Sequence, residues 1–327
     1  DSLAPAQGNP VCASLGTVSL NAAGVAEITG AQLNSFNVDN CSIVDTLING
    51  QTSVIYDCDS LGTRQAILTL RDPSGNTSTC TASFTITDNT DPTAICYGTL
   101  PILLDQFGIA AVDANQLDSA SFDNCGIVSY QINGVSVDTF DCTRAGIPTP
   151  AILTVTDAAG NTANCVVTLN IEDETPPVVM CQNIDVFLSN VSGTATVQAS
   201  QIDSASFDNC NIGGRTFSNG STSIQYNCSD TGVQVVTLIV SDVNGNVDSC
   251  TALVTVRDTT PPALNCRAVN VNLTNAGSVV LQANTSNPFG VINSAGDNCG
   301  LSSIFVTPDT ITCTDIGEVV FTVTAID

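Results

Sequence analysis

From Cys80 onward the side chains alternate without a break. Cys80, Ala82, Phe84 and Ile86 fall on one face, and Thr81, Ser83, Thr85 and Thr87 on the other. Cys165, Val167, Leu169 and Ile171 repeat the pattern, as do Cys250, Ala252, Val254 and Val256. A period of two with one apolar face predicts a half-buried strand. An apolar run precedes each of these strands (AILTL, AILTV and VTLIV), joined to it by DPSGN, DAAGN or DVNGN. An Asp opening the turn and a Gly three places on, where a positive φ is required, spell a hairpin. About seven such short strands per repeat predict an all-β chain, a rod-like tandem array of disulfide-bonded immunoglobulin-like sandwiches with little helix.

The cysteines show why the pattern recurs. Cys12, Cys96, Cys181 and Cys266 are spaced by 84, 85 and 85 residues. Cys41, Cys125, Cys210 and Cys299 form a second series, always within the triplet Asp-Asn-Cys. Cys58, Cys142, Cys228 and Cys313 form a third, and Cys80, Cys165 and Cys250 a fourth with three members. The octamer DSASFDNC stands at 118–125 and again at 203–210. This periodicity divides the chain into repeats at 1–88, 89–173, 174–258 and 259–327, the last without its closing strand. The joints TDNTDPTAIC, IEDETPPVVMC and VRDTTPPALNC combine acids with proline, which stiffens a short connector.

Charge narrows the function. The 327 residues carry 31 acids against six arginines, with no lysine or histidine, for a formal charge of −25. Nucleic acid and anionic membranes need a basic footprint, so neither is an expected partner, and no apolar run reaches membrane-spanning length. Lacking His and Lys, the chain retains only carboxylate chemistry, and acids repeated at matching places in each module do not suggest a catalytic pair. Fifteen cysteines without histidine or a closely spaced CxxC pair point to disulfides in an oxidising, extracellular setting.

With its Cys…Asp-Asn-Cys…Cys…V-x-D-x-x-Gly-Asn-x-x-x-Cys array and acid–proline joints, the chain resembles the hyalin-repeat (HYR) family of immunoglobulin-like modules. That resemblance covers essentially the whole sequence. It implies tandem modules of an extracellular adhesive protein, such as the giant surface and gliding adhesins of Bacteroidetes. The inner cysteine pair departs from the general pattern of that family.

Four cysteines permit three pairings. First-to-fourth and second-to-third is the expected one: Cys12–Cys80, Cys41–Cys58, Cys96–Cys165, Cys125–Cys142, Cys181–Cys250, Cys210–Cys228 and Cys299–Cys313, with Cys266 lacking a partner. In such a sandwich the Asp-Asn-Cys loop, the Asp-x-x-Gly-Asn turn and the incoming joint meet at one end. That would gather Asp88, Asp91, Asp123, Asn124, Asp157 and Asn161 in the second repeat. The third contributes Asp173, Glu174, Asp208, Asn209, Asp242 and Asn246; the fourth Asp258, Asp297, Asn298 and Asp327. Converging carboxylates without a basic partner either cap turns as solvated acids or hold a cation, for which flexible oxygen ligands favour Ca²⁺. Asp-Ser-Ala at Ser119 and Ser204 is similar to an O-glycan acceptor of Bacteroidetes surface proteins, and Asn76, Asn190, Asn219, Asn272 and Asn284 stand in N-glycan sequons. The expected role is a stalk or filament segment of a secreted or cell-surface adhesin. Its partners would be neighbouring repeats of a longer chain, or other copies in a filament. The rival roles are polysaccharide or surface-protein binding by the repeats themselves. Because the fourth repeat stops short of its last strand, either further chain or a second subunit is expected to supply one.

Overall fold

A computed structural model describes residues 3–5, 10–286 and 289–327 of the chain. It comprises two compact units, Asp1–Asp173 and Glu174–Asp327.

In the first unit, strands β1 (Thr17–Ser19), β3 (Asp45–Ile48), β5 (Gly62–Arg71) and β6 (Thr77–Thr87) form a sheet in the order β1-β6-β5-β3, and β2 (Ala26–Thr29) pairs with β4 (Ser53–Tyr56). The second repeat copies this plan. Its sheet is β7 (Thr99–Leu103), β12 (Thr162–Glu172), β11 (Pro148–Asp157) and β9 (Ile127–Ile132), beside the pair β8 (Ile109–Asp113) and β10 (Val137–Asp141). Each of these repeats is thus a four-stranded sheet facing a two-stranded one, six strands rather than the seven expected. The opening strand lies parallel to the last: Leu100 sits across from Leu169 and Ile102 from Ile171.

The alternation read from the sequence decides which face is inside. Ala82, Phe84 and Ile86 are buried against Leu68 and Leu70, while Ile28 and Tyr56 close the core from the smaller sheet. Tyr56 meets Phe84 edge to face with centroids 5.3 Å apart, the arrangement favoured by ring quadrupoles. The hairpin turn DAAGN carries its positive φ at Gly160 (96°), a conformation a side chain would strain.

In the second unit, β13 (Ile184–Phe187), β18 (Val247–Arg257), β17 (Gly232–Asp242) and β15 (Ile212–Phe217) make the large sheet, with β14 (Thr194–Gln198) and β16 (Ser223–Asn227) facing it. The fourth repeat differs. Its described residues form three two-stranded sheets: β19 (Ala263–Cys266) with β21 (Ile292–Gly296), β20 (Ser278–Val280) with β23 (Thr310–Thr312), and β22 (Ser303–Thr307) with β24 (Thr322–Ile326).

Candidate cation site at a covalent joint

Disulfides link Cys12–Cys80, Cys96–Cys165 and Cys181–Cys250, each tying the start of a repeat to its last strand. The inner pairing expected from sequence is corrected. Cys58 of the first repeat is bonded to Cys125 of the second, and Cys228 of the third to Cys299 of the fourth. Cys41–Cys58, Cys125–Cys142, Cys210–Cys228 and Cys299–Cys313 are therefore not the pairs formed. Cys142 and Cys210 are disulfide-bonded, whereas Cys41, Cys266 and Cys313 are free and exposed.

The reason lies in strand direction. Just after Cys41, Val44 N–H donates to the Arg71 carbonyl at one end of β5; just after Cys58, Gly62 stands opposite Ile86 at the other end. Ten residues of β5 separate those ends, about 30 Å of strand, whereas a disulfide needs Cα atoms within about 7 Å. Being close in sequence does not bring Cys41 near Cys58. The third cysteine instead emerges where the chain leaves the repeat, and the Asp-Asn-Cys loop of the next repeat lies there too.

That loop is pressed onto the preceding repeat. Asn124 Nδ2 donates to the Asn21 carbonyl (3.3 Å) and to Asp88 Oδ1 (3.1 Å). Asn298 does the same with the Ser189 carbonyl and Asp258 Oδ1, both at 3.2 Å. Gly24 and Gly193 make the close approach possible, for a Cβ on either would lie 2.6 or 2.7 Å from the Asn124 or Asn298 carbonyl oxygen, and both have positive φ. Gly24→Ala should accordingly spread the first joint while leaving the repeats folded. Hydrogen exchange is expected to rise at residues 21–25 and 123–126, with the outer disulfides and strand amides unchanged; unchanged exchange in the two loops would refute the close packing.

The acids of the first joint converge. Asp88, Asp123 and Asp157 each place a carboxylate oxygen within 4.8 Å of the other two. Asp157, only 1% exposed, accepts from the backbone N–H of Ala159, Gly160 and Asn161, while Asn161 Nδ2 donates to Asp157 Oδ2 and to the carbonyls of Asp88 and Thr90. Asp123 Oδ2 accepts from Cys125 N–H at 2.7 Å. Three oxygens are left over: Asp88 Oδ2, Asp123 Oδ1 and Asn124 Oδ1 are buried and accept no hydrogen bond among the described residues. Three of the six arginines are paired with other acids, Arg71 with Asp45, Arg215 with Asp203 and Arg257 with Asp185. Buried acceptors of negative charge, unpaired and mutually close, suit a hard cation.

In the second unit two carboxylates, Asp258 and Asp297, meet beside the disulfide sulfur of Cys299, and Asp297 Oδ2 and Asn298 Oδ1 are likewise buried and accept no hydrogen bond among the described residues. Asp327 lines a cavity with Asp258 and Cys299. Asp173 and Asp242 are buried; Asp242 takes three backbone N–H groups of its own turn, and Asp208 takes that of Cys210. Asp91 and Glu174 are exposed, and Asp91 stands outside the first-joint cluster: a carboxylate free to point into water has no reason to enter it. Asn124 and Asn298 contribute more than their sequence context suggested.

The first half of the octamer has a different task. Asp118 Oδ1 accepts from Ser121 N–H, and Asp203 Oδ1 from Ser206 N–H and Oγ; these serines reach back to the N–H groups of Ile95 and Met180 on the incoming joint. Burial pushes the Asp203 carboxyl up, but the Ser206 hydrogen bonds and Arg215 outweigh it and hold it below the usual range. A depressed folded pKa gives stability that is present above the unfolded value of about 3.9 and lost as pH falls through the folded one. Arg215→Gln should thus weaken the third repeat at neutral pH and flatten its acid-unfolding curve below about pH 4, a difference absent if the pair is inert. Ser119 and Ser204 are exposed, and the Asn76 amide is occupied by Asp72 and the Leu3 carbonyl.

No helix among the described residues is long and apolar enough to cross a membrane. No family model matches the chain. It is similar to hyalin of Lytechinus variegatus, 30% identical over 241 residues, covering 71% of this chain and 41% of that protein. Hyalin of Strongylocentrotus purpuratus is 30% identical over 200 residues, 60% of this chain and 15% of that protein. Among solved structures, the I-band fragment I67–I69 of titin (10% identity, TM-score 0.35) covers 76% of this chain and 97% of that one. Mouse clustered PcdhgC3 EC1-3 (14%, 0.27) covers 72% and 89%. The chain spans less than half of either curated relative, and over the matched residues its disulfide-bonded β-modules are similar to hyalin.

Proposed function

We propose that the chain is a tension-bearing spacer of an extracellular adhesive protein, its joints braced by disulfides and by Ca²⁺. The observation that carries this reading is the covalent linkage of the first two repeats by three disulfides. Cys12–Cys80, Cys58–Cys125 and Cys96–Cys165 interlace, because Cys58 precedes Cys80 and Cys96 precedes Cys125. The shortest covalent path from Cys12 to Cys165 crosses the Cys12–Cys80 bridge, runs along the 16 residues from 80 to 96 and crosses the Cys96–Cys165 bridge, although 153 positions separate its ends; Cys58–Cys125 spans the same joint in parallel. At about 3.5 Å per extended residue, full unfolding would lengthen that stretch to about 56 Å plus two bridges, instead of about 540 Å. The outer bridges set a hard limit on extension, and Cys58–Cys125 adds a second covalent link across the first joint, which keeps two folded repeats in contact under pull.

The donor set fits Ca²⁺ at the first joint. Asp88, Asp123 and Asn124 would supply the uncommitted oxygens and Asp157 the deeply buried charge. A cation there would cancel the repulsion that otherwise drives the two repeats apart. Disulfides of this number persist in oxidising surroundings, which supports an extracellular location.

Single-molecule stretching of the intact chain tests the role. Under oxidising conditions each unfolding event should release only a small fraction of a repeat's contour length. Reductant, or the paired substitution Cys12→Ser and Cys80→Ser, should lengthen the release severalfold. Full-length release from the oxidised chain would sink the proposal, as would micromolar binding of the repeats to a polysaccharide array with no mechanical difference between oxidised and reduced forms.

A further inference from the structure

The disulfide across the first joint and the cation donors beside it share one tripeptide. Asp123 and Asn124 supply two of the three uncommitted oxygens, and Cys125, next in the chain, carries the bond to Cys58. Asp123 Oδ2 accepts from the Cys125 N–H, so the direction of its free Oδ1 is set by where Cys125 is held. The Cys58 sulfur lies 3.5 Å from the Asn124 carbonyl oxygen and 3.7 Å from that of Gly24, between the two repeats. The third oxygen comes from the other side of the joint. Asp88 follows directly on β6 of the first repeat, whose last residue, Thr87, is fixed by Leu20 N–H donating to its carbonyl at 2.8 Å. Asp88 is 4% exposed, and its buried Oδ2 accepts no hydrogen bond among the described residues. Among those residues, the loop's hydrogen bonds to the first repeat are the two from Asn124 Nδ2, at 3.1 and 3.3 Å. The disulfide is the stronger hold.

We infer that the Cys58–Cys125 disulfide is a redox switch on this site, a role that rests on the cation proposed above. The intact bond confers the affinity, reduction releases the ion, and the bound ion protects the bond. With the bond in place, Asp123 is kept within 4.8 Å of Asp88 and the donors form one preformed set. Without it, the ion must itself draw the two repeats together against the repulsion of three carboxylates. The donors then meet only at the effective concentration that their connector allows. Coupling of this kind is reciprocal: if affinity depends on the bond, the bond's equilibrium depends on the ion by the same factor. Reduction uses two thiol groups of a small-molecule reagent. The thiolate of the first attacks one sulfur of the pair, forming a mixed disulfide and releasing the other cysteine, which takes up a proton. The second displaces the first as the reagent's own disulfide, and the remaining cysteine takes up the second proton. Two electrons enter the protein and the reagent leaves oxidised. Loss of one bond thus softens the joint twice. Cys12–Cys80 is no part of the switch, for Cys80 stands eight positions before Asp88, about 26 Å along β6.

Local amide exchange on the intact chain tests the switch, with calcium chloride as the ligand. In the oxidised chain calcium should protect residues 123–126 and 158–161. In the double variant Cys58→Ser, Cys125→Ser the midpoint of that protection should move to at least tenfold higher calcium. Without calcium the strand amides of β6 and β12 should exchange alike in both chains, which separates a loosened loop from an unfolded repeat. The converse measurement needs no substitution. The unaltered chain is equilibrated in graded ratios of reduced and oxidised dithiothreitol, with calcium or with chelator, and its free thiols are trapped by alkylation and assigned by mass. Saturating calcium should lower the midpoint potential of Cys58–Cys125 by at least about 30 mV, the equivalent of a tenfold coupling for two electrons. The potential of Cys12–Cys80 should move by less than a third as much. Equal calcium midpoints in the oxidised chain and the variant, or a Cys58–Cys125 potential indifferent to calcium, would overturn the switch and leave the cation in place. Absence of calcium-dependent protection from the oxidised chain as well would remove the cation itself, and the switch with it.

Discussion

Asp157→Ala is expected to destabilise the second repeat by about 3 kcal/mol and to loosen the joint before it. The carboxylate is 1% exposed and satisfies three backbone N–H groups of its own turn, at 2.9, 2.7 and 2.8 Å, together with the Asn161 amide at 2.8 Å. Each buried donor deprived of its acceptor costs about 1–3 kcal/mol. Residues 158–160 are exposed, so water can rescue part of the loss, which holds the total near the lower end of the sum. The Asn161 amide also spans to the Asp88 and Thr90 carbonyls, and losing its anchor frees it from the joint. Denaturant unfolding should show the second repeat's transition moved to lower urea, with the third repeat in place. Asp242→Ala, in the equivalent turn, should do the converse. Asp157→Asn retains one carbonyl acceptor and should cost less than half as much. A loss below about 1 kcal/mol for Asp157→Ala would mean the turn is held by its glycine and hairpin alone.

How much of this was legible beforehand differs between strands and joints. Strand faces follow from local chemistry: alternation at Cys165, Val167, Leu169 and Ile171 can put only one set inside, and Val167, Leu169 and Ile171 are all 0% exposed. The outer disulfide was readable because it ties the start of each repeat to the alternating strand that ends it. The inner pairing was not. A separation of 14 to 18 positions suggests a local loop, but no pattern in those residues says that the chain crosses from one end of the module to the other. The sequence does hold a faint signal. A glycine stands 34 or 35 positions before the third cysteine in Gly24–Cys58 and Gly193–Cys228, and its carbonyl faces that cysteine's sulfur. A small residue kept beside a sulfur marks a place where another backbone arrives, which is what Asn124 and Asn298 do. Among the acids, Asp88, Asp123 and Asp157 were grouped by the end of the sandwich they occupy, whereas Asp91 shared their charge and neighbourhood but faces water. Composition cannot separate those cases; burial does.

Removing calcium is expected to produce the largest reversible change. A ligand bound only by the folded form stabilises it by about 2.7 kcal/mol at a hundredfold excess over its Kd. For a module of this size each kcal/mol shifts Tm by about 4–8 °C, so saturating calcium should raise the transition of the first two repeats by about 10–20 °C. A chelator should reverse the shift. The sign follows from the joint itself: without a cation, three carboxylates within 4.8 Å of one another repel, and folding must bury Asp88 Oδ2 and Asp123 Oδ1 without a donor. Asp123→Asn should abolish most of the calcium response while raising stability in chelator, since it removes one repelling charge and keeps the shape. That opposite pair of effects separates a cation site from a turn cap. If Asp123 only caps the backbone of Cys125, its replacement by Asn would lower stability slightly and equally with and without calcium. Magnesium should substitute poorly, because donors fixed to two different repeats cannot contract around a smaller ion. Calorimetry that finds no binding, with a Tm indifferent to chelator, would leave the Cys58–Cys125 bond as the joint's sole brace and the octamer's Asp-Asn-Cys as its scaffold.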